Sequence, residues 1–330
     1  MENELPIDRM RRRLLAGAAA GAAGWPLAAL AQGLSNRPVH IIVAQTAGTT
    51  PDVIARVLAP RLQKRWNQPF IVENRAGAAG AIGMEALARA APDGHTVQVM
   101  VASILTLPLF FQNLPFDILK SFQPIGMIGN NNFALVVHRS LPVSNVKEFI
   151  AYAKAFPGEL DYGSPGNGTI HHLLMEQLKL MTGINARHIP YKGAAPAYTD
   201  LLGGRIQVMF AAIHIAMALS KDGKIKVIGG TMRERSPLFP DLPSIHEQGV
   251  TGFNTSPWFA LLGPAGMPAN VVAKYNTELR AILAEPDMKD ILGKQGVSIE
   301  TSSPEEMGVV LKEQFAALSK LVHDANIKGD

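Results

Sequence analysis

The segment Tyr162-Gly163-Ser164-Pro165-Gly166-Asn167-Gly168-Thr169 constrains this chain more than any other. A short strand pattern, Glu159 to Tyr162, runs into it, and a helical pattern (Ile170, Leu173, Leu174, Gln177, Leu178, Met181) runs out. A strand, a glycine-rich turn and a helix in that order are the unit of an α/β layer. The first turn of such a helix has no intrahelical partners for its N–H groups and carries partial positive charge, so it attracts an anion. A second segment of this kind covers residues 39–44, then Gln45-Thr46-Ala47-Gly48-Thr49-Thr50-Pro51-Asp52, then another helix. Two anion cradles without recognisable reaction machinery point to a receptor for a small carboxylate and away from an enzyme.

The same alternation continues along the chain. Strands are predicted over 39–44, 70–73, 96–101, 124–129, 134–138, 160–162, 186–189, 207–210 and 226–229. Helices are predicted over 51–66, 81–90, 146–155, 169–182, 195–202, 213–221, 269–284, 286–294 and 304–323. This reads as an α/β fold with mainly parallel sheets flanked by helices. Thr50 is expected to cap the first helix with Pro51 at N1, Ser144 to cap 146–155, and Gly183 to close 169–182. A Pro-rich connection over 236–252 precedes three final helices, as in chains that cross to a second lobe and return. The expected division is a first lobe of 32–130 and 230–330 and a second lobe of 131–229. In both lobes a Gly-rich turn follows a strand's C-terminal end, where open α/β sheets bind ligands.

Residues 1–31 read as an export leader, with Arg9, Arg11, Arg12 and Arg13, an Ala/Gly/Leu-rich stretch, and Ala29-Leu30-Ala31 as a cleavage site. The arginine run also fits a twin-arginine signal; a Sec signal or a membrane anchor is the alternative. The leader holds four Arg against three acidic residues, so its removal takes the formal charge from +4 to +3 and leaves 299 residues, enough for two domains. That charge is mild and the leader holds the only basic run, which argues against nucleic-acid binding. The absence of cysteine excludes disulfides and thiolate metal sites. A periplasmic location, no cofactor and a monomer are expected.

The candidate ligand residues are those of the two turns. In the first, Thr46, Ala47, Gly48, Thr49 and Thr50 offer N–H groups and hydroxyls. In the second, Ser164, Gly166, Asn167, Gly168 and Thr169 do the same. Asp52 would oppose an anion if it faced the ligand, but fits the first helical turn, where a carboxylate favours the dipole. Nucleotide motifs fail: Gly77-x-x-Gly80-x-x-Gly83 has the wrong spacing, and Gly166-x-Gly168-x-x-His171 ends on His. Gly163-Ser164-Pro165-Gly166 is not a nucleophile elbow, and Pro165 lacks the N–H an oxyanion hole needs. His171 and His172 lack metal-ligand spacing, although His171 lies near enough to the second turn to contact a ligand. Arg75, Arg187, Lys192 and Arg233 are candidate counter-ions. Trp258 either walls a cleft or packs a returning strand, and packing is the favoured reading.

Several segments together resemble the Bug-type (TctC-family) receptors of tripartite tricarboxylate transporters. They are Arg37-Pro38 with Ala47-Gly48, Val72-Glu73-Asn74-Arg75-Ala76-Gly77, Ala91-Pro92-Asp93-Gly94, Ser164 to Thr169, Ile189-Pro190-Tyr191-Lys192-Gly193, Asp200-Leu201-Leu202-Gly203-Gly204 and Arg235-Ser236-Pro237 with Asp241-Leu242-Pro243. The resemblance implies a two-lobed periplasmic-binding-protein (Venus-flytrap) architecture. It also implies that Thr46 to Thr50, Asp52 and Ser164 to Thr169 hold a ligand carboxylate, largely through backbone N–H groups and water, for delivery to membrane permease subunits. The alternative output is signalling through a sensor kinase. The chain departs from the family pattern at Ala44-Gln45, at Thr49 in place of a second Gly, and at Ala211-Ala212, where many members carry Asp or Asn. Without that acid at Ala211 an ammonium lacks a partner, so the expected ligand is a carboxylate with an apolar or hydroxylated body and no amine.

Overall fold

The computed structural model describes residues 37–327. The leader and its cleavage site near Ala31 lie outside the described residues.

Among the described residues, eleven strands form two sheets. The first contains β1 (Val39–Val43), β2 (Phe70–Asn74), β3 (Thr96–Val101), β4 (Phe122–Asn131), β10 (Trp258–Pro264) and β11 (Val297–Ile299), in the order β11-β4-β10-β3-β1-β2. The second contains β5 (Phe133–His138), β6 (Leu160–Ser164), β7 (Ala186–Pro190), β8 (Val208–Ala212) and β9 (Ile225–Gly230), in the order β7-β6-β8-β5-β9. The helices are α1 (Thr50–Trp66), α2 (Ala81–Ala88), the single turn α3 (Leu107–Phe110), α4 (Val146–Ala155), α5 (Ile170–Thr182), α6 (Ala194–Leu202), α7 (Ile213–Ser220), α8 (Ala269–Leu283), α9 (Met288–Gly293) and α10 (Pro304–Asp324).

Both sheets are mixed. β1 pairs in parallel with β2 and β3, and β6 with β7 and β8. β10 runs against both β3 and β4, β11 against β4, and β5 against β8 and β9. The mainly parallel expectation therefore describes the strands that alternate with helices. It misses the reversed strands where the chain enters or leaves a lobe. β10 and β11 were not among the predicted strands. All seven residues of β10 are buried, so its apolar run shows no alternation, and β11 has three residues.

The second sheet is buried on both faces. Phe133, Leu135 and Val137 of β5 join one apolar cluster with Tyr162 and Phe210, while Ala134 and Val136 join another with Met209 and Ala211. That burial explains a continuous Phe-Ala-Leu-Val-Val run where a half-exposed strand would alternate. Local chemistry then sets the ends. Asn145, not Ser144, caps α4 by accepting from the N–H of Glu148 at 2.9 Å. Thr49, one residue before the expected Thr50, is the N-cap of α1. Gly183 closes α5 in the left-handed region, as expected.

A single residue, Asn132, separates β4 of the first sheet from β5 of the second. It is buried and bonded to both sides. Its N–H donates to Gly296 O at 3.1 Å and its carbonyl accepts from Ile213 N at 2.8 Å. Its Nδ2 donates to Ser298 Oγ at 2.9 Å and to Gly296 O at 3.2 Å. The return strand lies alongside: Thr231 N donates to Phe133 O, Thr255 N to Thr231 O and Asn131 N to Pro257 O. Trp258 follows, buried in the first sheet, with Nε1 donating to Gln314 Oε1 at 2.7 Å. Packing is thus its role.

Candidate functional site

The two predicted turns share one geometry. In the first, Thr49 is the N-cap of α1, and its Oγ1 donates back to Thr46 O at 2.7 Å. In the second, Thr169 is the N-cap of α5, and its Oγ1 donates back to Gly166 O at 2.8 Å. One residue earlier stands a glycine with positive φ, Gly48 at 84° and Gly168 at 69°. The N–H of each glycine is taken by a side chain four residues on, in the first helical turn. Gly48 N donates to Asp52 Oδ2 at 2.9 Å, and Gly168 N donates to His172 Nδ1 at 3.1 Å. No side chain caps either helix from these threonines, because both hydroxyls are spent on loop carbonyls. Asn145 and Ser303, by contrast, cap α4 and α10. The N-terminal N–H groups of α1 and α5 thus receive no capping oxygen from Thr49 or Thr169, and Pro51 has no N–H to offer.

The repeat is absent from the sequence as residue identity. It pairs an aspartate in one lobe with a histidine in the other, because all the position needs is an acceptor. Asp52 is 2 % exposed and also accepts from Arg56 Nε at 3.0 Å and Asn74 Nδ2 at 2.9 Å. Burial works to raise its pKa, but the bonds from Arg56, Gly48 and Asn74 outweigh it and hold the carboxyl below its usual range. Its charge is therefore committed within its own lobe. His172 is stacked on His188 at 4.0 Å, and burial holds its pKa below the ordinary value. Accepting at Nδ1 places the proton of the neutral ring on Nε2.

Thr46, Ala47 and Gly48 are exposed, and Thr49 and Thr50 are half-buried. In the second turn Gly166, Asn167 and Thr169 are half-buried, while Ser164 and Gly168 are buried. Ser164 Oγ lies 2.6 Å from His188 Nε2 and donates to Gly166 O at 3.0 Å, so it shapes the turn from beneath. Ala211 is fully buried in the second sheet, its methyl in the core with Met209 and Ile206. The backbone at Gly166 has φ of 142°, and an added Cβ would lie 3.5 Å from Tyr191 O. At Gly168 a Cβ would lie 2.6 Å from the ring of Phe110, the last residue of α3, so the first lobe touches the second turn directly.

Two candidate counter-ions are engaged elsewhere: Arg75 with Glu73 at 2.8 Å, and Arg187 with Asp161 through two bonds of 2.7 Å. His171 stands edge-on to Phe133 at 5.1 Å; its Nδ1 is shielded without a partner, and burial lowers its pKa to about 4. It is a neutral ring beside the inter-lobe connection.

A cavity of about 160 Å³ opens beside the second turn. It is lined by the turn after β3, one face of α5 starting at Ile170, the return segment 254–257 and the outer part of α10. None of the twelve predicted residues lines it. Four separated stretches of chain converge there, so no local pattern announces it. The return segment, with Thr255, Ser256 and Pro257 beside Trp258, is the one signal within reach of sequence.

Known proteins carry the same fold and pattern. A UPF0065 protein from the gbd 5′ region of Cupriavidus necator is 36% identical over 280 residues, 84% of either chain. BugT of Bordetella pertussis is 31% identical over 294 residues, covering 88% of this chain and 90% of its own. The solved structure of R. palustris Rpa4515 with adipate superposes with a TM-score of 0.78 at 32% identity, over 90% of this chain and all of that one. The model of the tripartite tricarboxylate transporter family receptor matches residues 54–327. With two mixed α/β lobes and a glycine turn in each, the chain belongs to the tripartite tricarboxylate transporter receptor family, the Bug-type periplasmic solute-binding proteins.

Proposed function

We propose that this receptor captures a small carboxylate between its lobes and presents it to the permease subunits of a tripartite transporter. The observation that carries this reading is the matched pair of turns. Each leaves a helix N-terminus without a side-chain cap while a buried acceptor, Asp52 or His172, locks the preceding glycine. Uncapped N–H groups at a positive helix end suit a carboxylate, and their fixed geometry lowers the ordering cost of binding. The adipate carried by Rpa4515 supports the ligand class. The family supports the partner, a membrane permease, and a periplasmic location. In this reading 32–130 with 230–330 form one lobe and 131–229 the other. Thr46 to Thr50 and Ser164 to Thr169 supply the anion contacts, Asp52 acts as a positioning residue, and the segments at Asn132 and 231–257 form the hinge.

Calorimetric titration of the purified protein with mono-, di- and tricarboxylates tests this. Saturable binding of a carboxylate is expected in the wild type. Gly166→Val, which blocks approach to the second turn and resists its positive φ, is expected to abolish that binding with circular dichroism unchanged. Undiminished binding in a folded Gly166→Val protein would move the site away from the turns. Heat only from neutral solutes would overturn the carboxylate.

A further inference from the structure

The cavity beside the second turn begins at Ile170, the residue after Thr169, and includes Ala102, Ser103 and Thr106 of the segment that carries Phe110 onto Gly168. Along the chain it adjoins the proposed anion contacts of the second turn at Ile170. Its wall contains no ionisable side chain. Leu173, Leu174, Leu318 and Leu321 supply aliphatic surface from α5 and α10. Several of the polar side chains among them bond to protein, while Ser256 Oγ is shielded without a partner. Thr106 Oγ1 donates to Ser103 O at 2.7 Å, Thr255 Oγ1 donates to Gln177 Oε1 at 2.5 Å, and Gln314 Oε1 accepts from Trp258.

An ionised group brought here would lose its water and find no counter-charge, at a cost of several kcal/mol. An apolar group would gain from leaving water in proportion to its area. A cavity of about 150 Å³ with aliphatic walls accepts a benzene ring, so about 160 Å³ holds one ring or a chain of about six carbons.

We infer that this cavity takes the uncharged body of the ligand, and that the protein is selective for monocarboxylates with an apolar aliphatic or aromatic body over dicarboxylates, tricarboxylates and amino acids of similar length. The inference rests on the proposed carboxylate site at the turns and adds the chemistry of the other end of the ligand. It also separates this chain from the relative solved with adipate, whose bound acid is charged at both ends.

The test is a titration series with butanoate, hexanoate, octanoate, benzoate, hexanedioate and 6-aminohexanoate on the purified full chain. Affinity is expected to rise about fourfold per added methylene until the cavity is full, the equivalent of about 0.8 kcal/mol per buried CH₂. Hexanoate and benzoate are expected to bind at least tenfold more tightly than hexanedioate or 6-aminohexanoate. Ala317→Phe, an exposed position on α10 at the cavity wall, fills the space and is expected to make butanoate and octanoate bind alike. Its melting curve reports whether the fold is kept. Leu173→Gln, which makes the opposite wall polar, should flatten the series in the same direction.

If acids bind without dependence on the apolar body, or hexanedioate wins, the assignment of the cavity is wrong while the carboxylate receptor stands. If no carboxylate binds the wild type at any length, both fail. Loss of the chain-length gain in both variants, against a steep wild-type series, supports the assignment.

Discussion

Phe110 lies across the α-carbon of Gly168, so that a methyl group added there would sit 2.6 Å from the edge of the ring. One residue in each lobe thereby fixes how closely α3 approaches the second turn. Gly168→Ala meets two penalties, the positive φ of 69° and the ring. The backbone term is about 1–2 kcal/mol. The ring term should vanish in a Phe110→Ala background. Urea unfolding of the four proteins in this cycle is expected to give a coupling of about 1 kcal/mol or more. Strict additivity would mean the ring yields freely.

Asp52→Asn keeps the shape of the first turn but removes the charge that Gly48, Arg56 and Asn74 address. Loss of about 1.5–3 kcal/mol is expected at neutral pH. The folded carboxyl titrates below the ordinary aspartate value of 3.8. Its contribution is therefore present above that pH and lost as pH falls through the folded pKa. The gap in melting temperature between wild type and variant should narrow only below that value. A constant gap down to the most acidic buffer would assign the effect to something other than the charge.

His171 works in the opposite range. Burial lowers its pKa from 6.5 to about 4. Between those values the unfolded chain binds a proton that the folded chain refuses, so stability declines as pH falls through the window. His171→Phe keeps the ring packed on Phe133 and removes the titration. The slope of stability against pH should drop by at most about 1.4 kcal/mol per pH unit. His172 and His214 are lowered in the same direction, so a smaller slope of the same sign remains. An unchanged slope would show that the His171 ring reaches water.

Asn132→Ala removes two side-chain bonds, to Ser298 and Gly296, at the one-residue crossing between the sheets. A loss of about 1–3 kcal/mol is expected from denaturant unfolding. Asn132→Asp should cost more, since its charge would be buried with only weak neutral donors. Equal stability of the two variants would place the stabilisation in the main chain alone.

The sequence shows most of the alternation because each βα unit carries its own punctuation. Thr96 to Val101 and Val146 to Ala155 appear in the structure with the predicted bounds. What stays hidden depends on partners far along the chain. The reversed direction of β10 cannot be read from Trp258 to Pro264, since pairing with β3 and β4 decides it. Ser144 looked like a cap, yet Asn145 has the geometry. At the turns, Thr50 is the expected cap of the first helix, whereas Thr49 stands there, and the hydroxyls of Thr49 and Thr169 both bond backward. The likeness of Asp52 to His172 is invisible as letters, because what they share is an acceptor four residues beyond a glycine. The cavity is assembled from segments between Ala102 and Leu321, so only the folded chain brings it together.

β10 lies between β3 and β4, although more than a hundred residues of chain separate it from either. During synthesis, β5 to β9 are complete before Trp258 emerges. The first sheet at that moment is two fragments with bare hydrogen-bonding edges facing a gap one strand wide. Such edges pair with whatever strand is offered. A chain interrupted before residue 258 would therefore be an adhesive species, and the last third of the polypeptide carries the burden of sealing the first.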